Sequence, residues 1–410
     1  MSPRWIQFAW RNTLRNRRRS AVTVSIAALG TAAILLAGGF ALSTYQGLAQ
    51  AAARNTGHLI IGTTAQFSRD EDTPLQHGLD NADALGRQLL ADPAVRQVLP
   101  RVEFTGLISN GDKSTVMMAA GVDAQAEFSV KGPFLTLVAG RLLQGDEKLK
   151  VMLGEGLARS LKAGPGSGLT LMASTTEGAL NALDVSVVGV VSSGVPDVDK
   201  RLVYTDLASA QQLLVTQRVS TLGVFLDRMD ATADAQQRLQ TLLRGQPAAA
   251  ALTVQTWQDQ AFFYRGVRDL YNRIFGALGL IIGCIVVFVV TNAMAMAIIE
   301  RTREIGTLRA LGTLPAQLVR CLALEGLMLG GVGAALGALL TGAVALGLLL
   351  FPVQMPPPPG RSSGYPLLIA VDPALWAATL AAMLLLAMAA SAWVARRTVN
   401  LPVVDALAHV

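Results

Sequence analysis

Few residues in this chain of 410 could carry chemistry, and those few stand apart. His58, His77 and His409 are scattered without the spacing that a metal site needs, so a metal centre is not expected. The glycine-rich stretch Gly164-Pro165-Gly166-Ser167-Gly168 lacks the lysine that reaches phosphate, and no G-x-x-x-x-G-K-[ST] loop occurs. There is no G-x-S-x-G elbow, and three histidines offer little to a Ser-His-Asp triad. Acids in the middle of a span, as a proton-coupled transporter uses, are missing; Glu325, close to Arg320 at one end of an apolar run, reads as a solvated or paired group. The expectation is a chain with no catalytic residue, no metal and no cofactor of its own.

One segment concentrates charge. "ERTREIGTLRALG", Glu300 to Gly312, carries five charges in its first ten residues between long apolar stretches. Burying one Arg at mid-bilayer costs roughly 2.5–3.5 kcal/mol, so the segment must leave the membrane. As a helix it aligns Ile305, Leu308 and Leu311 at spacings of three, with Arg301 and Arg309 flanking that stripe and Arg303 opposite. Gly312 suits a helix end, and Thr313 with Pro315 suits the start of the next helix. A docking helix has this form; a solvated connector has the same composition.

The elements that must position this segment are membrane spans. Hydrophobic residues make up 52% and charged residues 15% of the chain, with a mean hydropathy of +0.44, well outside the soluble balance. Spans are expected at 21–45, 274–299, 318–353 and 373–395. Six arginines and no acid in residues 1–20, then Arg301, Arg303 and Arg309 in 300–317, then Arg396 and Arg397 in the tail 396–410, place all three segments in the cytoplasm by the positive-inside rule. Residues 1–20 read as a basic amphipathic helix along the inner surface, with Trp5, Ile6, Phe8 and Trp10 beside the arginines. A cleaved secretory signal would end near Ala49-Gln50-Ala51, but the apolar run Ala21–Leu42 is longer than a signal core of about 7–15 residues.

The large loop 46–273 holds 21 lysines and arginines against 23 acids, a net charge of −2, so the basic balance belongs to the cytoplasmic arginines and nucleic acid is a poor partner. Both cysteines, Cys284 and Cys321, lie outside this loop, which therefore contains no disulfide. It reads as an extracytoplasmic α+β domain of two small lobes rather than one barrel. Strands are expected near Gly57–Gly62, Glu103–Ser109, Ser114–Val122, Leu169–Met172, Val185–Val191 and Thr221–Leu226, and helices near Asn81–Ala91, Gly156–Lys162, Leu207–Leu214 and Ala231–Leu243. Asn110-Gly111 marks a hairpin. Gln255–Phe275 is expected to be one aromatic-rich helix feeding the second span at the level of the interface. The loop 354–372 holds a stiff polyproline stretch, and Gly326, Gly330, Gly333 and Gly337 invite close helix approach, within the chain or between two copies.

"ERTREIGTLRALG" followed by "LVRCLALEGLMLGGVGAALGALL" resembles the FtsX-like, MacB-type (type VII) permease family of ABC transporters, nearest in layout to the lipoprotein-releasing permeases. The tail Arg396-Arg397-Thr398-Val399-Asn400-Leu401-Pro402 and the outer pieces Leu153-Gly154-Glu155-Gly156, Val188-Gly189-Val190 and Tyr204-Thr205-Asp206 are similar to it as well. The resemblance implies two ABC ATPase subunits that bind ATP and Mg, and a second permease copy or paralogue. It implies that Arg301, Arg303, Glu304, Ile305, Gly306, Leu308, Arg309, Leu311 and Gly312 form the helix that couples to the ATPase. Because the chain begins with the membrane segment, the ATPase is expected to be a separate polypeptide. The implied activity is release or export of a lipoprotein or other amphiphile. Small-molecule or peptide export with a periplasmic adaptor is an alternative, as is mechanical signalling to an extracytoplasmic hydrolase. The implied location is the inner membrane, with both termini cytoplasmic and the large domain periplasmic.

Overall fold

The computed structural model describes residues 17–68, 73–132, 135–145, 147–244, 252–355 and 364–399. Residues 1–16, which hold most of the expected basic helix, the polyproline stretch 356–359 and the tail from residue 400 lie outside the described residues. In chain order the main elements are α1 (Arg17–Thr56), β1 (Leu59–Thr63), α2 (Ala82–Leu89), β2 (Val95–Ser109), β3 (Ser114–Val122), α3 (Ala124–Lys131), β4 (Thr136–Gly140) and β5 (Lys150–Gly154). There follow α4 (Glu155–Leu161), β6 (Gly168–Ser174), β7 (Leu180–Ser192), β8 (Leu202–Asp206), α5 (Leu207–Leu214), β9 (Thr221–Leu226), α6 (Thr232–Arg244) and β10 (Leu252–Thr256). The chain finishes with α7 (Phe262–Glu300), α8 (Thr302–Ala310), α9 (Pro315–Leu350) and α10 (Pro373–Val399). It divides into a sheet domain, Gly47–Arg265 with Met355–Tyr365, and a helical unit formed by the rest.

In the helical unit, four helices among the described residues are long and apolar enough to cross a membrane: Ser20–Thr56, Tyr264–Glu300, Pro315–Leu350 and Pro373–Arg397. At 1.5 Å per residue the 40 residues of α1 extend for about 60 Å, about twice the hydrocarbon thickness. On α7, Val286, Val290, Met294 and Ile298 recur every fourth residue and pack into one cluster with Leu318, Leu322, Met383, Ala387 and Val394. Gly326, Gly330, Gly333 and Gly337 of α9 work inside the chain. A Cβ on Gly330 would lie 2.4 Å from the Ala387 Cβ of α10, and one on Gly337 would lie 2.5 Å from the Ala28 carbonyl of α1.

In the sheet domain, hydrogen bonding closes six strands into a ring: β2 with β3, β3 with β8, β8 with β5, β5 with β7, β7 with β6, and β6 back to β2 at Leu107–Ser109. The second lobe is the antiparallel set β10-β1-β9-β2, contacted by α6 on β10 and α2 on β2. Both lobes use β2, pairing β9 over Val95–Arg101 and β3 over Arg101–Ser109. Strand alternation then sorts the core: on β5 the neighbours Val151 and Leu153 join the main cluster, while Met152 faces a smaller one with Phe128 and Tyr204. The Asn110-Gly111 hairpin forms, with a loop of 110–113 in which Gly111 takes φ +93° and the Asn110 side chain accepts from the Asp112 and Lys113 amides.

One expected helix is different. Gln255 and Thr256 lie in β10, Trp257–Gln260 makes a single turn, and α7 begins only at Phe262. Pairing with β1 across Leu59–Thr63 overrides helical propensity there. The Thr256–Asp259 capping box starts the short turn, and Ala261 (φ −88°, ψ 64°) ends it. Trp257 is consequently buried in the sheet domain, edge-on to Tyr264 at 5.0 Å, while Tyr271 meets Phe40 and Tyr45 of α1 in the helical unit.

Candidate functional site

The charged segment is a separate nine-residue helix, α8. The chain bends out of α7 at Arg301 (φ −116°, ψ 14°), while the Thr302 hydroxyl donates to the carbonyls of Ile298 and Ile299 and so satisfies acceptors at the end of α7. At the other end Gly312 sits at φ +92°. Its amide donates to Arg309 O, and the Thr313 amide donates to Leu308 O. That pair of bonds is a Schellman closure, which asks for a glycine at the left-handed position. The next helix starts with Pro315 at its first position, and its cap is Leu314 rather than Thr313.

The expected apolar stripe is split. Ile305 and Leu308 are half-buried against the helical-unit cluster, with Gly306 buried between them, so this face anchors the helix. Leu311 follows the last helical residue and is 78% exposed, because the turn at Gly312 comes before the stripe can continue. The opposite face presents Glu304, Thr307 and Ala310 to the outside, with Leu311 and Leu314 beyond them. Arg309 is half-exposed, and Arg303 is described in its backbone only.

A buried ion pair ties α8 down. Arg301 Nη1 lies 3.6 Å from Glu325 Oε2 of α9, with the two side chains 17% and 6% exposed, and Arg301 Nε lies 3.6 Å from Glu304. Glu325 is thus paired, but with Arg301; Arg320, its neighbour in sequence, is exposed. A charge in an apolar helix signals that some partner exists. Which of the arginines at 301, 303, 309 and 320 it chooses is decided by the bend at Arg301. Among the described residues no group of three His, Cys, Asp or Glu is gathered that could hold a metal ion. What the site offers is a helix end seated on one face and exposed on the other, with Glu304 on the exposed side.

Two family profiles match this chain: the MacB-like periplasmic core domain over residues 20–242 and the FtsX-like permease C-terminal region over residues 275–403. The lipoprotein-releasing system transmembrane protein LolE of Haemophilus influenzae is 28% identical over 274 residues, 65% of this chain and 64% of that protein. LolC of Neisseria meningitidis serogroup B is 26% identical over 275 residues, 63% of this chain and 64% of that one. The chain therefore spans a little under two thirds of the length of the curated relatives it matches. Among solved structures, the periplasmic region of MacB from Actinobacillus actinomycetemcomitans is similar at 18% identity, covering 50% of this chain and 92% of that one with a TM-score of 0.36. The extracellular domain of YknZ from Gram-positive bacteria is similar at 15% identity, covering 48% and 99% with a TM-score of 0.35. With the periplasmic-core match running over more than half of its residues and the permease match over its last three membrane helices, the chain belongs to the FtsX-like, MacB-type family of ABC transporter permeases.

Proposed function

We propose that this permease turns ATP hydrolysis by two separate ABC ATPase subunits into motion of its periplasmic domain, and so releases a lipoprotein or another lipidic substrate from the inner membrane. The ATPases would hold the ATP and Mg; a second permease copy or paralogue would complete the dimer, with both termini cytoplasmic. The observation that carries the reading is α8: one face is held by Ile305, Leu308 and the Arg301–Glu325 pair, and the other presents Glu304, Thr307 and Leu311. A push on the exposed face would pass to α9 through a buried contact rather than being lost in a loose loop. The relatives, both lipoprotein-releasing system transmembrane proteins, support the cargo class.

The test is to co-express the permease with its ATPase and a lipoprotein in membranes and to change Glu304→Lys and Leu311→Asp. Each is expected to lower ATP-dependent release by about tenfold, the scale of a contact worth more than 1 kcal/mol at a protein interface, at unchanged permease yield. Normal release from both variants would remove α8 from the coupling path. Intact coupling with no lipoprotein released would instead overturn the cargo.

A further inference from the structure

Near its end α10 carries two cations, Arg396 and Arg397, that meet no carboxylate among the described residues. Leu385, Ala389 and Trp393 are exposed at every fourth residue of this helix, Leu385 at 59% and Trp393 at 51%, and the two exposed arginines extend that flank by one turn. The Arg397 guanidinium carbon lies 4.3 Å from the centre of the Trp393 ring, inside the cation–π range of about 6 Å. A guanidinium held over a ring keeps N–H donors at its edge for an acceptor.

Depth then places these groups. At 1.5 Å per residue Trp393 stands about 30 Å beyond Pro373, one hydrocarbon thickness, so the ring lies at the interface and both arginines lie among headgroups. A third arginine joins them from α1. A Cβ on Gly30 would lie 3.3 Å from Met383 Cε and one on Gly38 3.0 Å from Leu375 Cδ2, an antiparallel register that sets the exposed Arg18 level with Ala395. Leu375, which faces α1, and Trp393 are about five turns apart, so the Trp393–Arg397 stack lies on the side of α10 that faces α1.

Topology alone asks for positive charge here, but it does not ask for a guanidinium held over a ring with an open apolar flank beneath it. A zwitterionic headgroup brings its own cation to three arginines; an anionic one does not, and its phosphate matches the guanidinium edge with two bonds. We infer that this end of the α1–α10 seam binds one anionic phospholipid, its phosphate at Arg397 and Arg396, with Arg18 at the same depth and an acyl chain along Ala389 and Leu385. The inference goes beyond the coupling reading: it needs only that α10 crosses the membrane, and its test contains no ATPase.

The full-length permease in detergent would be titrated, with native mass spectrometry as the readout, against phosphatidylglycerol and against phosphatidylethanolamine of the same acyl chains. Phosphatidylglycerol is expected to bind about tenfold tighter, the scale of one hydrogen bond to a charged group, and Arg397→Gln should remove that margin. Arg397→Lys keeps the charge without the fork and should bind several-fold more weakly. Arg320→Gln removes the same charge from the other flank: Arg320 shares a side of α9 with Gly331, which faces Leu384, half a turn round α10 from Trp393. It should leave phosphatidylglycerol binding unchanged. Equal affinity for the two lipids, unchanged binding in either Arg397 variant, or an equal loss in Arg320→Gln would overturn the inference, the last by showing diffuse attraction. Complete displacement by glycerol phosphate, which has no acyl chain, would overturn it as well.

Discussion

The sheet domain of this permease and the seams of α9 in its helical unit are held together by opposite kinds of residue. The sheet domain buries large aliphatic side chains, among them Leu59, Ile61, Leu99, Ile108, Leu153 and Leu157, all at or near zero exposure. The helical unit packs large side chains from α7, but α9 meets α10 and α1 at small ones: Gly326 and Gly330 against Ser391 and Ala387, Gly333 and Gly337 against Ala27, Ala28 and Thr31. Water drives the first kind, because each buried Leu leaves solvent for a gain of about 1.5–3 kcal/mol. Lipid is as apolar as Leu and offers no such gain, so the second kind depends on close contact of backbones, and Leu339, Leu346 and Leu349 are left 56–70% exposed on α9. A residue's size therefore has opposite value in the sheet core and at the seams of α9.

The largest expected effect sharpens the first half of that contrast. Leu153→Ala empties a site at 0% exposure in the main cluster of the sheet domain and should cost about 2–5 kcal/mol, read as faster hydrogen exchange across β5 and β8. The second half is tested in the other direction, by adding a methyl group. Gly337→Ala would place its Cβ 2.5 Å from a backbone carbonyl and should cost about 1–3 kcal/mol, seen as a lower midpoint of thermal aggregation in detergent. Gly276→Ala on α7, where a Cβ meets nothing within 4 Å, should be neutral or slightly stabilising. Equal tolerance of both glycine changes would break the comparison.

The smallest effect is a pH dependence confined to the sheet domain. Burial, and secondarily Arg54, hold the His58 imidazole below its ordinary range, and its Nδ1 accepts from the Leu226 amide at 3.1 Å. Folded His58 thus binds fewer protons than unfolded His58. Its contribution to stability is present above the unfolded value of about 6.5 and is lost as pH falls through the lower folded value. Protection of β9 against hydrogen exchange should decline between pH 7.5 and 5.5, and His58→Asn, whose side-chain oxygen can accept the same bond, should flatten the decline.

Much of this architecture was legible in the chain. Uncharged runs marked the spans because a charge inside lipid is prohibitive, and α5 and β9 form over the expected Leu207–Leu214 and Thr221–Leu226 because local pattern and tertiary packing agree there. β10 was not legible: Gln255 and Thr256 lie in a strand through pairing with β1, nearly two hundred residues earlier. The charged helix was legible as a helix, from Gly312 at its end and apolar residues at spacings of three. Its faces were not: the stripe that looked ready for a partner is spent on Ile305 and Leu308 as anchors, and the exposed face carries Glu304, Thr307 and Ala310. Nothing in the spacing of Arg101, Glu127 and Lys131 announces that a strand and a helix bring them into one buried ion-pair cluster.

The sequence by itself determined which parts of the chain live in lipid and which in water, that an α+β domain interrupts the first two spans, and where the charge must leave the membrane. These follow from transfer energies summed over local runs, which need no knowledge of neighbours. Only the tertiary structure decided that α9 spends its glycines on α1 and α10, that Glu325 answers Arg301, and that Arg101 and Lys131 share the Glu127 carboxylate. Those are contacts between residues far apart in the chain, and their energy depends on distance and burial, which residue type and spacing do not encode.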